Sequence, residues 1–392
     1  MAAVRGDTTR RFAQTLMVFA GLGVCATGGP PAVTRQEAVP RRLWHLPDLG
    51  RGGAAADETS AYFLSKSHEV IAVDVATGTI RWRRTTLEEG DALSGAAVLL
   101  GDDSVVVGDY NLLAFDRRTG GLRWRFVPAE GYGPGVYLGA VVDGTALAGS
   151  PSGHLYAVDA ESGALRWSAR VAVDGRTTVF APAVESGLVA AGYTEFTAPS
   201  GGGVAVLAAG SGRVIWKRRF PGPEDGSLSS NWAGGPVFWG DVVIAASGDG
   251  RVHAFDLASG DVRWTIPKVT GPSPFAMAAD HDFRPLALAG GLLISGSLTG
   301  TITAHDLVTR TERWRFTASG LGSTAFRIAA VDYVVYVPFA NGRLVALGAT
   351  DGRERWRIGD WTSGFLWPPA ARGDTLFLSG AGDGLSAVRV QP

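Results

Sequence analysis

The sequence predicts an all-β fold, an eight-bladed β-propeller of four-stranded antiparallel blades closed by the N-terminal strand. Three observations carry this expectation. The first is a recurring hairpin, clearest in LLAFDRRTGGLRWRF from Leu112 to Phe126. It combines an alternating apolar run, Asp116, a turn at Thr119-Gly120 and a second run carrying Trp124. Related copies are IAVDVATGTIRW ending at Trp82, YAVDAESGALRW at Trp167, HAFDLASGDVRW at Trp264 and TAHDLVTRTERW at Trp314, with weaker copies at Trp216 and Trp356. The second observation is spacing. The seven Trp residues lie 42, 43, 49, 48, 50 and 42 positions apart, and strand-rich repeats of about 40 to 50 residues mark propeller blades. The third is a split copy. Leu385-Ser386-Ala387-Val388 matches the third strand of the repeat but lacks a fourth, while Arg41-Arg42-Leu43-Trp44-His45 matches a fourth strand that lacks a third. Joined, they make an eighth blade and leave no unpaired edge at the closure. Seven blades behind an N-terminal extension is the alternative.

Taken in order, residues 1–26 read as an export signal. Arg5, Arg10 and Arg11 precede an apolar segment from Phe12 to Val24, the length of a signal h-region and too short to span a bilayer. Two processing patterns are present: Val24-Cys25-Ala26 fits a small-x-Ala cleavage site, and Leu22-Gly23-Val24-Cys25 is similar to a lipobox in which Cys25 becomes lipidated. Residues 27–40, rich in Gly and Pro at the start, read as a flexible tether, and residues 41–392 as the propeller. Blade 2 is expected at Ser94 to Leu100, Ser104 to Gly108, Leu112 to Asp116 and Leu122 to Phe126, and blade 3 at Ala140 to Val142, Thr145 to Gly149, Leu155 to Asp159 and Leu165 to Ala169. Asp249-Gly250, Asn341-Gly342 and Asp383-Gly384 suit two-residue hairpins between second and third strands. In blade 4, Thr194 to Gly203 reads as an inserted loop, because Pro199-Ser200-Gly201-Gly202-Gly203 looks unable to pack as strand.

The hairpin motif explains itself structurally. Ala at the centre of the third strand (Ala72, Ala114, Ala157, Ala254, Ala304, Ala346, Ala387) leaves room where blades approach, and Trp supplies a large apolar face with one N–H to satisfy. The Asp before the turn caps the following amides. Blades 4 and 7 carry Ala208 and Gly348 at the Asp position, and blade 6 carries Arg310 at the turn Gly, so these blades are expected to be less regular.

Composition narrows function. A formal net charge of −1 gives no electrostatic footprint for nucleic acid. A single cysteine, Cys25, excludes an internal disulfide framework, a Cys-based zinc site and CxxCH haem attachment. No Gly-rich phosphate loop opens a helix, and no Ser sits in a G-x-S-x-G elbow. His281, flanked by Asp280 and Asp282, lacks a second His nearby and is not read as a metal ligand. His154, His253 and His305 fall within the repeat and read as structural.

The A-x-D-x-x-T/S-G-x-x-x-W pattern resembles the pyrroloquinoline quinone (PQQ) propeller repeat over nearly the whole of residues 41–392; WD repeats lack this Thr-Gly-x-x-x-Trp hairpin. The resemblance implies one of two branches: quinone-dependent alcohol dehydrogenases, or non-enzymatic propellers similar to the outer-membrane assembly lipoprotein BamB. The enzyme branch implies PQQ, calcium, a catalytic Asp and adjacent cysteines. Only Asn231 and Asp280-His281-Asp282 approach such a set, and the cysteine pair is lacking. The expectation is therefore a scaffold without cofactor, exported to the periplasm, monomeric, reaching the membrane only through a lipid on Cys25, and binding another protein. A PQQ-dependent alcohol or sugar dehydrogenase and a carbohydrate-binding propeller are the alternatives. Binding is expected on the face formed by interblade connections, whose aromatic and Arg residues are of the type enriched at hot spots: Tyr137, Trp232, His281, Asp282, Arg284, Phe326, Arg327 and Trp367.

Overall fold

The computed structural model describes residues 40–47, 49–50, 52–87, 97–128, 135–171, 177–195, 201–220, 235–247, 251–267, 286–297, 300–318, 328–339, 341–359, 369–380 and 384–390. They form eight antiparallel blades in a ring, with no helix among the described residues. Blade 1 comprises Ala54–Ala56, Ser60–Leu64, Glu69–Asp74 and Ile80–Thr85. The first strands of neighbouring blades approach one another and so line the centre of the ring. Blade 2 begins later than expected, at Ala97–Leu100, and its other three strands match. In blade 3 the first strand is longer, Tyr137–Val142, followed by Thr145–Gly149, His154–Asp159 and Leu165–Arg170. Blade 8 is closed by the N-terminal strand: Arg41–Leu46 pairs with Gly384–Arg389, placing Trp44 opposite Ala387.

The repeat owes its regularity to one β-bulge. In blade 2, Phe115 pairs with Leu122 but Ala114 pairs with Trp124, so Arg123 is the extra residue. The same slip occurs in all eight fourth strands. A bulge re-aims a side chain, and here it directs the extra Arg toward the Asp that begins the turn. Arg81 meets Asp74 at 2.6 Å, Arg123 meets Asp116 at 2.7 Å, Arg166 meets Asp159 at 2.7 Å, and Arg263 meets Asp256. The other carboxylate oxygen accepts from turn amides, as when Asp116 Oδ1 accepts from the Thr119 amide at 2.8 Å. Charged residues along the fourth strands also blunt the outer sheet edges against pairing with other chains.

These pairings set an acid limit. The Arg81 hydrogen bond, then the Thr77 amide, hold the Asp74 carboxyl at about 2; the Ser259 amide, then Arg263, hold Asp256 at about 2. Arg123 and Arg166 likewise hold Asp116 and Asp159 well below the ordinary carboxylate range. A depressed folded-state pKa contributes stability that is present above the ordinary value and lost as pH falls through the folded value. The urea midpoint is therefore expected to be level down to about pH 4 and to fall between about pH 4 and 2. Arg123→Ala should shrink that fall; a midpoint indifferent to pH across this window would count against the turn carboxylates.

Neighbouring blades are joined through the Trp. Trp44, Trp82, Trp124, Trp167, Trp216 and Trp314 each donate the indole N–H to a carbonyl of the next blade, namely Val75, Arg117, Ala160, Ala209, Leu257 and Ala349, at 2.7 to 3.0 Å. Each acceptor follows the Asp position of the next hairpin. The turn Gly of that hairpin then lies on the ring. Gly120, at φ +70°, has room for no Cβ, which would sit 2.6 Å from the Trp82 ring.

The blades expected to be irregular keep the usual register at the Trp hairpin. Val206 pairs with Trp216, Ala346 with Trp356 and Ala304 with Trp314, all with the usual bulge. The reason is that main-chain bonds close these turns without the Asp, for example Gly352 N–H to the Gly348 carbonyl at 2.8 Å. In blade 6, Arg310 itself adopts the left-handed conformation, at φ +64°. Its guanidinium lies 6.0 Å from the Trp264 ring, a cation–π contact where other blades place a glycine. Asn341-Gly342 also differs from expectation. Three residues rather than two intervene between Phe339 and Arg343, whose backbones bond at 2.7 Å, with Gly342 at φ +83°. The Gly342 amide donates to the Phe339 carbonyl at 3.1 Å.

Candidate binding face

Antiparallel blades place the connections between blades, and the turns between second and third strands, at one face of the ring. Of the residues expected to bind there, the described chain includes Tyr137. Its ring lies 5.7 Å from that of Phe180 at the seam between blades 3 and 4, and burial pushes its phenol pKa up. Gly139 and Gly149 make this seam close: a Cβ on either would come within 2.3 Å of Pro182 or Val179 backbone oxygen. Tyr137 thus serves packing as well as any ligand. Trp232, His281, Asp282, Arg284, Phe326, Arg327 and Trp367 lie outside the described residues, as do Cys25, Asn231 and Asp280.

The loop expected in blade 4 is overturned at both its ends, Thr194–Glu195 and Gly201–Gly203, which are strand, while residues 196–200 lie outside the described residues. Gly201–Ala208 is a strand, paired with Leu188–Glu195 on one side and Val214–Phe220 on the other. Both inner partners extend three residues past the usual five-residue strand, as in Val242–Ala246 of blade 5. At about 3.3 Å per residue the hairpin stands roughly 10 Å proud of the binding face. A further strand, Thr177–Val179, pairs with the extension and makes blade 4 five-stranded. The glycines belong in the strand because side chains cross them. A Cβ on Gly203 would lie 2.4 Å from the Tyr193 hydroxyl, and one on Gly201 would lie 2.8 Å from Arg219 Nε.

A second feature of this face escaped the sequence reading. At the seam between blades 1 and 2, His68 Nδ1 lies 2.8 Å from Asp109 Oδ2, with both side chains buried. Thr86 Oγ1 contacts the same Asp109 oxygen at 2.7 Å and the His68 carbonyl at 2.9 Å. Among the described residues Asp109 Oδ1 has no hydrogen-bond partner. The signal lay in departures from the repeat. His68, at φ +54°, occupies the turn position held by Gly153, Gly300 and Gly342 in blades 3, 6 and 7, and Asp109 stands where Ser65, Ser150, Ser247 and Ser297 stand elsewhere. The trio is not built for nucleophilic catalysis. Its hydroxyl meets the carboxylate instead of the imidazole, and all three residues are buried.

His154, His253 and His305 have structural surroundings. His154 Nδ1 lies 3.2 Å from Ser152 Oγ and its ring stacks on Tyr156. His253 lies 3.1 Å from Thr265 Oγ1 and stacks on Phe220, and His305 is buried. Among the described residues no three His, Cys, Asp or Glu side chains converge to hold a metal ion. First strands such as Ala54–Ala56, Ala329–Val331 and Leu286–Ala289 present mostly small aliphatic residues to the centre.

A ring of eight antiparallel blades, seven of four strands and one of five, stitched by Trp and turn Gly, defines the class of PQQ-like propellers. Within that class the chain belongs to the family described as outer membrane protein assembly factor BamB, whose model matches residues 31–179, 108–294 and 298–391. It is 27% identical to BamB of Yersinia pestis over 346 residues, covering 82% of this chain and 79% of the relative. It is 26% identical to BamB of Bordetella pertussis, and that match spans 64% of the relative's length and 69% of this chain. A putative dehydrogenase XoxF of Paracoccus denitrificans is 29% identical over 143 residues, 33% of this chain and 24% of the relative. Among solved structures, BamB from Moraxella catarrhalis superposes with a TM-score of 0.64 at 18% identity, covering 90% of this chain and 98% of that one. A europium-containing methanol dehydrogenase superposes with a TM-score of 0.69 at 13% identity, covering 89% and 84%. At such identities these structures establish the shared fold alone.

Proposed function

We propose that this chain is an exported, non-catalytic propeller scaffold that works without cofactor and binds a protein partner through its interblade face, in the assembly of outer-membrane proteins. The observation that carries the reading is family membership along almost the whole ring. The repeated residues support it, since Trp, Asp, Arg and turn Gly are consumed by packing and leave the connections for recognition. The blade-4 hairpin adds a raised wall to the same face. Export and lipidation of Cys25 are part of the proposal, and the mass of the mature N-terminal peptide checks them. For partner binding the test is capture from a membrane extract with the intact protein and with Arg327→Ala and Trp367→Ala. Loss of one or more partners is expected; an unchanged partner list overturns this face.

The dehydrogenase relatives favour a second reading, a PQQ-dependent oxidoreductase. Incubation with PQQ and calcium, followed by dye reduction with alcohols or sugars, separates the two. Sustained turnover would overturn the scaffold.

A further inference from the structure

The raised hairpin of blade 4 carries a cluster of side chains that the packing of the ring does not account for. Tyr193, Gly203 and Arg219 stand in one cross-strand row, and Glu195 and Lys217 project from the same side of the sheet. The opposite side carries Trp216, which bonds forward to Leu257 of blade 5. Tyr193 packs instead with Leu155, Ala157 and Val171 of blade 3. The cluster therefore looks into the notch where blade 4 rises above blade 3.

The two cations of the cluster are served differently. Arg219 Nε is held by Glu195 Oε2 at 3.0 Å. The Lys217 ammonium lies 4.5 Å from the centroid of the Tyr193 ring, and among the described residues no oxygen accepts a hydrogen bond from it. Lys217 is half-buried. A partly desolvated cation left without an anion is costly, and a ring face compensates it only in part. Burial, and then the charge of Arg219, lower the Lys217 pKa against the opposing pull of Glu195. Among the described residues Glu195 already holds Arg219 and no carboxylate bonds Lys217, which leaves a gap for one negative charge at the ammonium. A monoanion suits that gap, whereas a phosphate dianion would meet Glu195 at close range.

We propose that Lys217, steered by Arg219 across the buried Tyr193 ring, is a recognition point for a carboxylate presented by the partner protein, an inference that rests on the partner reading above. The carboxylate comes from an acidic side chain or from a chain terminus. Neither source requires a change in the hairpin, because the glycine strand beneath Tyr193 and Arg219 holds both in place.

The test is competitive acetylation of the intact protein, with Lys217 and Lys66 followed by mass spectrometry. One arm adds a Glu-rich peptide with an amidated end, a second adds a neutral Gln-rich peptide with a free terminus, and a third adds inorganic phosphate. Slower labelling of Lys217 with unchanged labelling of Lys66 is expected from one of the two peptides, and the arm that protects names the source. The same peptide should bind Lys217→Gln about tenfold more weakly, with Lys217→Arg retaining most of the affinity. An unfolding midpoint equal to that of the parent keeps the Lys217→Gln result free of folding effects. Protection by neither peptide, or equal protection by phosphate, overturns the site. If Lys217→Gln still captures the partner that Arg327→Ala or Trp367→Ala loses, this inference fails while the binding face stands. If no variant changes capture, the face itself fails.

Discussion

Replacing Trp44 with Ala should cost about 3 to 5 kcal/mol, the usual range for deleting a buried Trp side chain. Trp44 does more than fill space. It donates to the Val75 carbonyl at 2.9 Å, lies against Phe63 and Phe377 of the two blades it joins, and underlies Gly78 of the blade 1 turn. The contacts with Val75, Phe63 and Gly78 cross the closure between blade 8 and blade 1, and the contact with Phe377 lies within blade 8. Removing Arg41–Leu46 altogether would also expose the whole edge of Gly384–Arg389, a template for pairing with other chains. The truncated protein is therefore expected to unfold at lower urea and to associate as it does so. Urea titration and light scattering check both; a truncated chain with the parent's midpoint would refute closure by the N-terminal strand. Trp264→Ala is the useful comparison, since that ring is only partly buried and should cost less.

Asp109→Ala should also destabilise, by about 1 to 3 kcal/mol, because it takes an acceptor from the buried His68 ring and leaves the Thr86 hydroxyl with one acceptor fewer. His68→Gly has two opposing consequences. It removes a side chain from the left-handed region, worth about 1 to 2 kcal/mol, but it abandons the Asp109 carboxylate in a buried position. The double change His68→Gly with Asp109→Ser restores the residues that blades 3 and 6 use at these positions. It should recover most of the loss from Asp109→Ala. A double variant no more stable than Asp109→Ala alone would show that the two residues act independently, against the seam described above.

Both predictions show where reading along the chain succeeds and where it stops. The closure was legible because a fourth strand with its Trp and a third strand without one appear at opposite ends of the sequence. Asp116, Thr119, Gly120 and Trp124 were legible because each serves the same local or nearest-neighbour duty in every copy. Gly201 to Gly203 were misread as loop for an equally physical reason. A glycine run looks like a breaker until Tyr193 and Arg219 are seen lying across it, and those partners come from adjacent strands. His68 and Asp109 were passed over because their meaning lies in a contact between two blades. Tyr137 was found on the expected face, but its ring against Phe180 gives it a packing role that aromatic character alone does not reveal.

By itself, then, the sequence determined the class of fold, the number of blades and the way the ring closes, since all three follow from a period and from a hairpin repeated in register. Tertiary structure alone decided that blade 4 rises as a five-stranded wall, that blades 1 and 2 meet through a buried His68–Asp109 pair, and that Lys217 lies over the Tyr193 ring. These depend on side chains brought together across strands and blades, where the energy of a contact is set by burial and by the partner opposite.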